Sequence, residues 1–152
     1  KDVKNALIHE QGSICCYCET KLKYDDSHIE HLDPQSNNEE GRLNYNNMLC
    51  SCQQKLEKGE PRHCGNSKEN YIIPITPLMQ NCENKFEYTA DGQILHTDVD
   101  SNVTMQTLNL DIDKLNKLRE KAIEPFIIDP DSLEEISQED AKIFADKYLE
   151  IE

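Results

Sequence analysis

Apolar residues recur at spacings of three and four within the first eleven positions, at Val3, Ala6 and Leu7. This period is typical of a short amphipathic helix, and Gly12 is placed to end it. The chain is therefore predicted to begin with a helix over residues 1–11, which leads directly into a cysteine-rich segment.

Two stretches further on have the pattern of extended chain. Residues 28–32 favour a short strand, which Asp33-Pro34 would end because the residue before a proline is kept out of the helical region. Leu43, Tyr45 and Leu49 alternate with polar residues, which favours a second, returning strand. We therefore expect two short strands in this part of the chain.

The second half of the chain predicts a hairpin followed by helices. Residues 86–89 and 94–97 are strand-like, and the Asp-Gly dipeptide between them is a strong hairpin signal. Asp111 is a candidate cap for a helix that runs to about residue 124. A further helix is predicted from Ser137, and no repeat or long linker divides the chain.

Composition and charge narrow the possible functions. A length of 152 residues corresponds to one domain, and 36% hydrophobic residues without Trp give a thin core. The net charge of −14 works against unaided binding to a polyanion. A protein of this charge that acts on a polyanion would need a metal ion at the phosphate and a partner chain that supplies cationic binding surface.

The cysteines favour a metal site over disulfides. Their number is seven, which is odd, and Cys15-Cys16 is an adjacent pair. This pattern favours a reducing cytoplasm and thiolate-bound metal. The sequence contains neither an apolar run long enough to span a membrane nor a secretory leader. We therefore expect a soluble, cytoplasmic protein with no membrane partner.

A two-residue spacer lets two cysteines bind one tetrahedral ion, as in zinc knuckles. One such pair opens the predicted site, and two later cysteines with eleven residues between them would complete it. Cys50 and His63 are alternative ligands. The predicted structural zinc ligands are Cys15, Cys18, Cys52 and Cys64.

Between these cysteines lies a cluster of residues with catalytic chemistry. His28, Glu30 and His31 fall within four positions, and Asn47 follows. Successive side chains of a strand face opposite ways, so Glu30 and His31 would diverge while His28 and Glu30 share a face. One of the two adjacent residues can then bind a metal ion while the other activates a water molecule.

These motifs resemble the HNH, or ββα-metal, endonucleases. Glu30-His31 with Pro34 matches the acid and histidine pair of the family, and Asn47 and Cys52 follow in the expected order. The chain is more specifically similar to the HNH subunit of Septu-type and retron-associated anti-phage systems. The matching stretches include residues 15–19, 29–31, 47–52, 63–68, 86–94, 108–110 and 115–119.

The resemblance implies an α+β fold with a zinc-supported ββα-metal core, an added β-hairpin and C-terminal helices. Residues 1–70 would form the core, and residues 71–152 would pack on it as an extension of the same domain. It also implies an ATPase partner and, in retron-linked members, a reverse transcriptase with its RNA and DNA product. The expected substrate is DNA, with tRNA as the alternative.

Phosphodiester hydrolysis needs an activated water and a cation that stabilises the developing charge. Imidazoles titrate close to neutral pH and suit the role of general base. We assign His31 as the base, Glu30 as a ligand of Mg²⁺ or Mn²⁺, and Asn47 as the residue that orients His31. Asn47 could do so through its amide or by fixing a loop whose carbonyl accepts the imidazole N–H.

The second ligand of the catalytic ion departs from the family pattern. In zinc-supported relatives it tends to follow the last cysteine, but that position is Gly65 here. Asn66 is the first choice, and His63 or His28 is the alternative. Lys68 is interpreted either as a phosphate contact or as a solvated surface side chain.

Two other functions are compatible with the sequence. A structural zinc module that binds another protein would need only the cysteines. A tRNA-cleaving toxin subunit would use the same catalytic residues on another substrate. Cleavage that depends on His31 distinguishes an enzyme from the interaction module.

Overall fold

The chain is described over residues 2–127 by a computed structural model. This part mixes helices with two small antiparallel sheets, so the expected α+β class is confirmed. The helix predicted from Ser137 lies outside the described residues. In chain order the helices and strands are α1 (Asp2–Glu10), β1 (Ser27–His31), β2 (Met48–Cys52), α2 (Gly65–Lys68), β3 (Phe86–Tyr88), β4 (Ile94–His96), α3 (Val99–Thr107) and α4 (Asp113–Ile123).

Strands β1 and β2 pair antiparallel, with His28 opposite Ser51 and His31 opposite Met48. The returning strand was predicted to include Leu43 and Tyr45, and that start is wrong. Leu43 is 88% exposed, and both residues lie in short 3₁₀ turns. The Asn44 side chain explains the turn, because it accepts a hydrogen bond of 3.1 Å from the backbone N–H of Asn46 and so competes with strand pairing.

The side chain that follows helix α1 joins the helix to the first sheet. The Gln11 amide donates to the Cys50 carbonyl at 2.9 Å and accepts from the Cys50 N–H at 2.6 Å. The helix also buries Leu7 in the core. This core is a single apolar cluster formed by Leu7, Cys15, Leu22, Cys50, Cys64, Ile73, Ile94, Leu108, Leu110 and Leu115.

The second half contains the predicted hairpin, β3 and β4, and one helix that the pattern did not indicate. Helix α3 has little apolar periodicity, but Asp98 and Ser101 form a reciprocal capping box at its start. Asp111 was predicted to cap helix α4, and this prediction is wrong, because the helix begins after Ile112. The hairpin turn packs directly on α4, since a Cβ added to Gly92 would lie 2.5 Å from the Glu120 nitrogen.

Within residues 2–127, the helices lack the combination of length and apolar composition that a membrane span requires.

Candidate metal centre and histidine site

The four cysteines predicted to bind zinc meet at one point. Their sulfur atoms all lie within 4.8 Å of one another, a spacing that could hold a metal ion. Two come from the turn after α1, one from the end of β2 and one from the residue before α2. A bound ion would therefore join the turn after α1 and the start of α2 to the first sheet.

Local backbone structure creates the first half of this cluster. The Cys15 N–H donates to the Thr20 carbonyl at 2.9 Å, and the Glu19 N–H donates back to the Cys15 carbonyl at 3.0 Å. Glu19 adopts a positive φ of 59°, which closes the tight turn. The turn brings the Cys15 and Cys18 sulfurs together, as the two-residue spacer predicts.

The thiols of the cluster influence one another strongly. The pKa of Cys15 is lowered because neighbouring thiols, first Cys16 and then Cys18, donate hydrogen bonds to its sulfur. The pKa of Cys64 is raised because its hydrogen bonds with Cys15 and Cys18 stabilise charge on those partners instead. If all four sulfurs were deprotonated, a cation would be needed to offset their mutual repulsion, and Zn²⁺ has the chemistry for it.

The two alternative zinc ligands, Cys50 and His63, lie in different positions relative to the cysteine cluster. Cys50 is fully buried in β2 opposite Ile29, and it is not one of the four converging cysteines. His63 lies closer, with its Nδ1 atom 3.1 Å from the Cys64 sulfur. Its buried Nε2 atom has no hydrogen-bond partner among the residues that the structure describes. His63 is thus a neighbour of the cluster that hydrogen-bonds a thiol.

Glu30, on strand β1, is 6% exposed and is surrounded by three polar groups. Its Oε1 atom accepts a hydrogen bond from Tyr17 Oη at 3.2 Å and forms an ion pair with Lys68 Nζ at 3.0 Å. Its Oε2 atom lies 3.5 Å from His28 Nε2. Burial alone would raise the pKa of Glu30, but the hydrogen bond with His28 and the charge of Lys68 outweigh it. The pKa of Glu30 is therefore lowered, and the carboxylate is ionised at neutral pH.

Lys68 differs from the surface side chain that was predicted. It is fully buried, and besides Glu30 it donates to the His31 carbonyl at 2.8 Å. Both interpretations of Lys68, as a phosphate contact and as a solvated side chain, are wrong because α2 directs it beneath β1. The sequence offers no signal for this, since an isolated lysine is usually exposed.

His31 lies on the opposite side of β1 from this pair and is half-buried. Its Nε2 atom is 3.1 Å from the Arg42 carbonyl oxygen, which can only accept a hydrogen bond. Nε2 therefore carries the proton, and Nδ1 is the basic atom. The Gln35 amide donates to Nδ1 at 3.1 Å. No sequence motif marks Gln35, which is exposed and lies four residues after His31.

Asn47 does not bond the imidazole directly. Its amide accepts from the Asp33 N–H at 2.8 Å and donates to the Asp33 carbonyl at 2.9 Å. The same amide nitrogen is 3.5 Å from the carbonyl oxygen of Gly41. Gly41 directly precedes Arg42, whose carbonyl accepts the hydrogen bond from His31. Of the two roles considered for Asn47, this geometry corresponds to the fixing of a loop whose carbonyl accepts the imidazole N–H.

The start of α2 lies against Glu30 and His28. A Cβ added to Gly65 would be 2.7 Å from His28 Nε2 and 3.0 Å from Glu30 Cδ, so only glycine fits without displacement. The Asn66 amide donates to the Gln53 carbonyl at 2.8 Å. Within residues 2–127, the polar partners of the Glu30 carboxylate are His28, Tyr17 and Lys68, and Asn66 is not one of them.

Comparison with known proteins places this geometry in context. No protein-family model matches the chain. A curated protein of Vibrio cholerae serotype O1 biovar El Tor, described as "Retron Vc95 putative HNH endonuclease", is 35% identical over 97 residues. The match covers 62% of this chain and 46% of the relative, so it spans less than half of that protein. The resemblance of this chain to the HNH endonucleases of retron-associated systems is thereby confirmed.

Proposed function

We propose that this chain is a metal-dependent HNH endonuclease that hydrolyses phosphodiester bonds. The observation that carries the proposal is the pair Glu30 and His31, adjacent on β1 but directed to opposite sides, with the imidazole tautomer set by the Arg42 carbonyl. Strands β1 and β2 with α2 would form the ββα-metal core. The cysteine cluster would hold a structural Zn²⁺ that supports this core.

The contact of Nε2 with the Arg42 carbonyl selects a His31 tautomer that suits a general base. Because Nε2 donates to a backbone carbonyl, Nδ1 is the nitrogen that can take a proton from water, and the water would replace the Gln35 amide that now donates to it. Gln35 contacts Nδ1 from the exposed side, where a substrate phosphate and its attacking water would approach. Asn47 acts on His31 indirectly. Its side chain contacts the backbone of Asp33 and of Gly41, and so holds the two chain segments next to the imidazole.

Glu30 is suited to bind a divalent cation, since it is ionised and its Oε2 atom is not contacted by Lys68. When bound, such an ion, Mg²⁺ or Mn²⁺, would stabilise negative charge on the phosphate and on the departing oxygen. Lys68 holds the other oxygen and thereby fixes the carboxylate orientation. The buried ion pair would position Glu30 without making direct contact with substrate.

The chain would act as a nuclease only as a subunit of a complex. The net charge of −14 opposes independent binding to nucleic acid, so a partner must supply cationic surface. We propose an ATPase subunit for this role in an anti-phage defence complex, with a reverse transcriptase and its RNA and DNA product where the system is a retron. DNA is the favoured substrate and tRNA the alternative.

Substitution of the general base tests this proposal. Purified complex carrying His31→Ala should lose cleavage of DNA or tRNA by about 10²- to 10⁴-fold with Mg²⁺ or Mn²⁺ present. His96→Ala is the matched control, because His96 is exposed at the end of the β3–β4 hairpin. If His31→Ala cleaves as well as the control, the nuclease site is misassigned, and a zinc-binding interaction module becomes the better interpretation.

A further inference from the structure

The two oxygens of Glu30 have different surroundings. Oε1 accepts a hydrogen bond from Tyr17 at 3.2 Å and forms an ion pair with Lys68 at 3.0 Å. Oε2 packs against the Gly65 backbone, and its polar neighbour among the described residues is the His28 imidazole, whose Nε2 atom is 3.5 Å away. An ion that approaches this carboxylate would therefore bind through Oε2 and would meet His28 at the same time.

The separation of these two atoms suits a shared ion. Ligand bonds of about 2.1 Å place neighbouring ligands of an octahedral ion roughly 3 Å apart, so a small movement of either side chain would complete the pair. His28 is 24% exposed whereas Glu30 is 7% exposed, both measured for the side chain. The imidazole thus lies between the buried carboxylate and solvent, where an ion would enter with its remaining waters.

Helix α2 has little to offer as a source of the second ligand. Gly65 lies directly beneath the His28 and Glu30 side chains, and any Cβ there would collide with them. Asn66 is engaged with the Gln53 carbonyl at 2.8 Å. The absence of a side chain at position 65 leaves room for the imidazole of His28 instead.

We infer that His28 is the second protein ligand of the catalytic ion, and that this donor makes the site prefer a first-row transition ion over Mg²⁺. The inference rests on the proposed nuclease function and replaces Asn66 in the ligand set. Imidazole nitrogen binds transition ions well, whereas Mg²⁺ selects oxygen donors. Mn²⁺ would thus bind more tightly than Mg²⁺ through one nitrogen and one carboxylate oxygen.

Mn²⁺ binding measured by electron paramagnetic resonance tests the inference without reference to activity. Wild-type protein should bind one Mn²⁺, with electron spin echo modulation from a directly bound imidazole nitrogen. His28→Ala should remove the nitrogen modulation and weaken Mn²⁺ binding by about tenfold or more. Asn66→Ala is the matched control and should retain both properties, and the zinc content of each variant reports whether it is folded.

A second variant keeps the test decisive if His28→Ala folds poorly. His28→Asp supplies an oxygen donor at the same position, so it should bind Mn²⁺ without nitrogen modulation and reduce the preference for Mn²⁺ over Mg²⁺. Wild-type protein that binds no Mn²⁺, or binds it without nitrogen modulation, would overturn the inference. So would persistence of that modulation in both His28 variants.

Failure of this inference and failure of the proposed function are distinguishable. If the complex cleaves nucleic acid in a His31-dependent manner while the His28 variants bind Mn²⁺ as wild type does, only the ligand assignment is wrong. If His31→Ala cleaves as wild type does, the nuclease function itself fails, whatever the Mn²⁺ titration shows.

Discussion

Glu30 and Lys68 form a buried ion pair, with 3.0 Å between Oε1 and Nζ, that joins strand β1 to helix α2. Lys68 is fully buried and also holds the His31 carbonyl at 2.8 Å. One side chain therefore fixes the carboxylate proposed to bind metal and the backbone of the proposed base. Because an unpaired charge is costly in a protein interior, neither member of the pair is easily replaced alone.

Removal of one partner should destabilise the fold strongly. Lys68→Met removes the lysine partner of the buried Glu30 carboxylate and leaves it only Tyr17 and His28, which we expect to lower the free energy of unfolding by about 3–5 kcal/mol. The double variant Lys68→Met/Glu30→Gln should recover part of this loss, as measured by urea unfolding in a double-mutant cycle. Lys114→Met, which breaks the exposed pair with Glu60, is the control and should cost about 1 kcal/mol or less. Equal effects of Lys68→Met and Lys114→Met would contradict the buried pair.

The same carboxylate should make stability depend on pH. The pKa of Glu30 in the folded protein is below its ordinary value of 4.5, so its contribution is complete above 4.5 and is lost as pH falls through the folded pKa. Wild type should therefore be more stable than Glu30→Gln near neutral pH, and the difference should shrink in acid below pH 4.5. Comparison of the two proteins at each pH cancels zinc release, which affects both. A difference that stays constant or grows towards acid pH would contradict the lowered pKa.

The cysteine cluster should bind one zinc ion that the fold requires. Cys18→Ser or Cys64→Ser should abolish bound zinc, measured by elemental analysis, and lower the thermal midpoint, because zinc binding contributes directly to folding. Cys82→Ser is the matched control, since Cys82 is half-buried and lies outside the cluster. Wild-type protein without zinc, or full zinc content in both cluster variants, would rule out this site.

Asn47 should influence catalysis through the loop it holds. Asn47→Ala removes hydrogen bonds to both backbone groups of Asp33, so we expect a loss of about 1–3 kcal/mol in unfolding free energy and a lower kcat. Asn47→Asp keeps the acceptor for the Asp33 N–H and should recover part of the stability. Asn46→Ala, on the exposed neighbour, should change neither quantity. Wild-type kcat in Asn47→Ala would show that the loop does not position His31.

Much of the site could be anticipated from local pattern. A Cys-x-x-Cys turn, a short strand before Asp33-Pro34 and an Asp-Gly hairpin each depend on neighbouring residues, and the structure has all three elements. The alternation of a strand was also sufficient to place His28 and Glu30 on one face. Helix α3 was not anticipated, because its start depends on a capping box and not on apolar periodicity.

The sequence by itself determined which chemical groups are available and how neighbours on β1 divide between its two faces, since both follow from residue type and backbone geometry. Only the tertiary structure decided that Lys68 is buried against Glu30, that Gly65 lies beneath His28, and that Asn66 bonds Gln53. The physical reason is that these contacts join α2 to strands and loops far away in sequence. Their geometry depends on how α2 docks, which local periodicity does not encode.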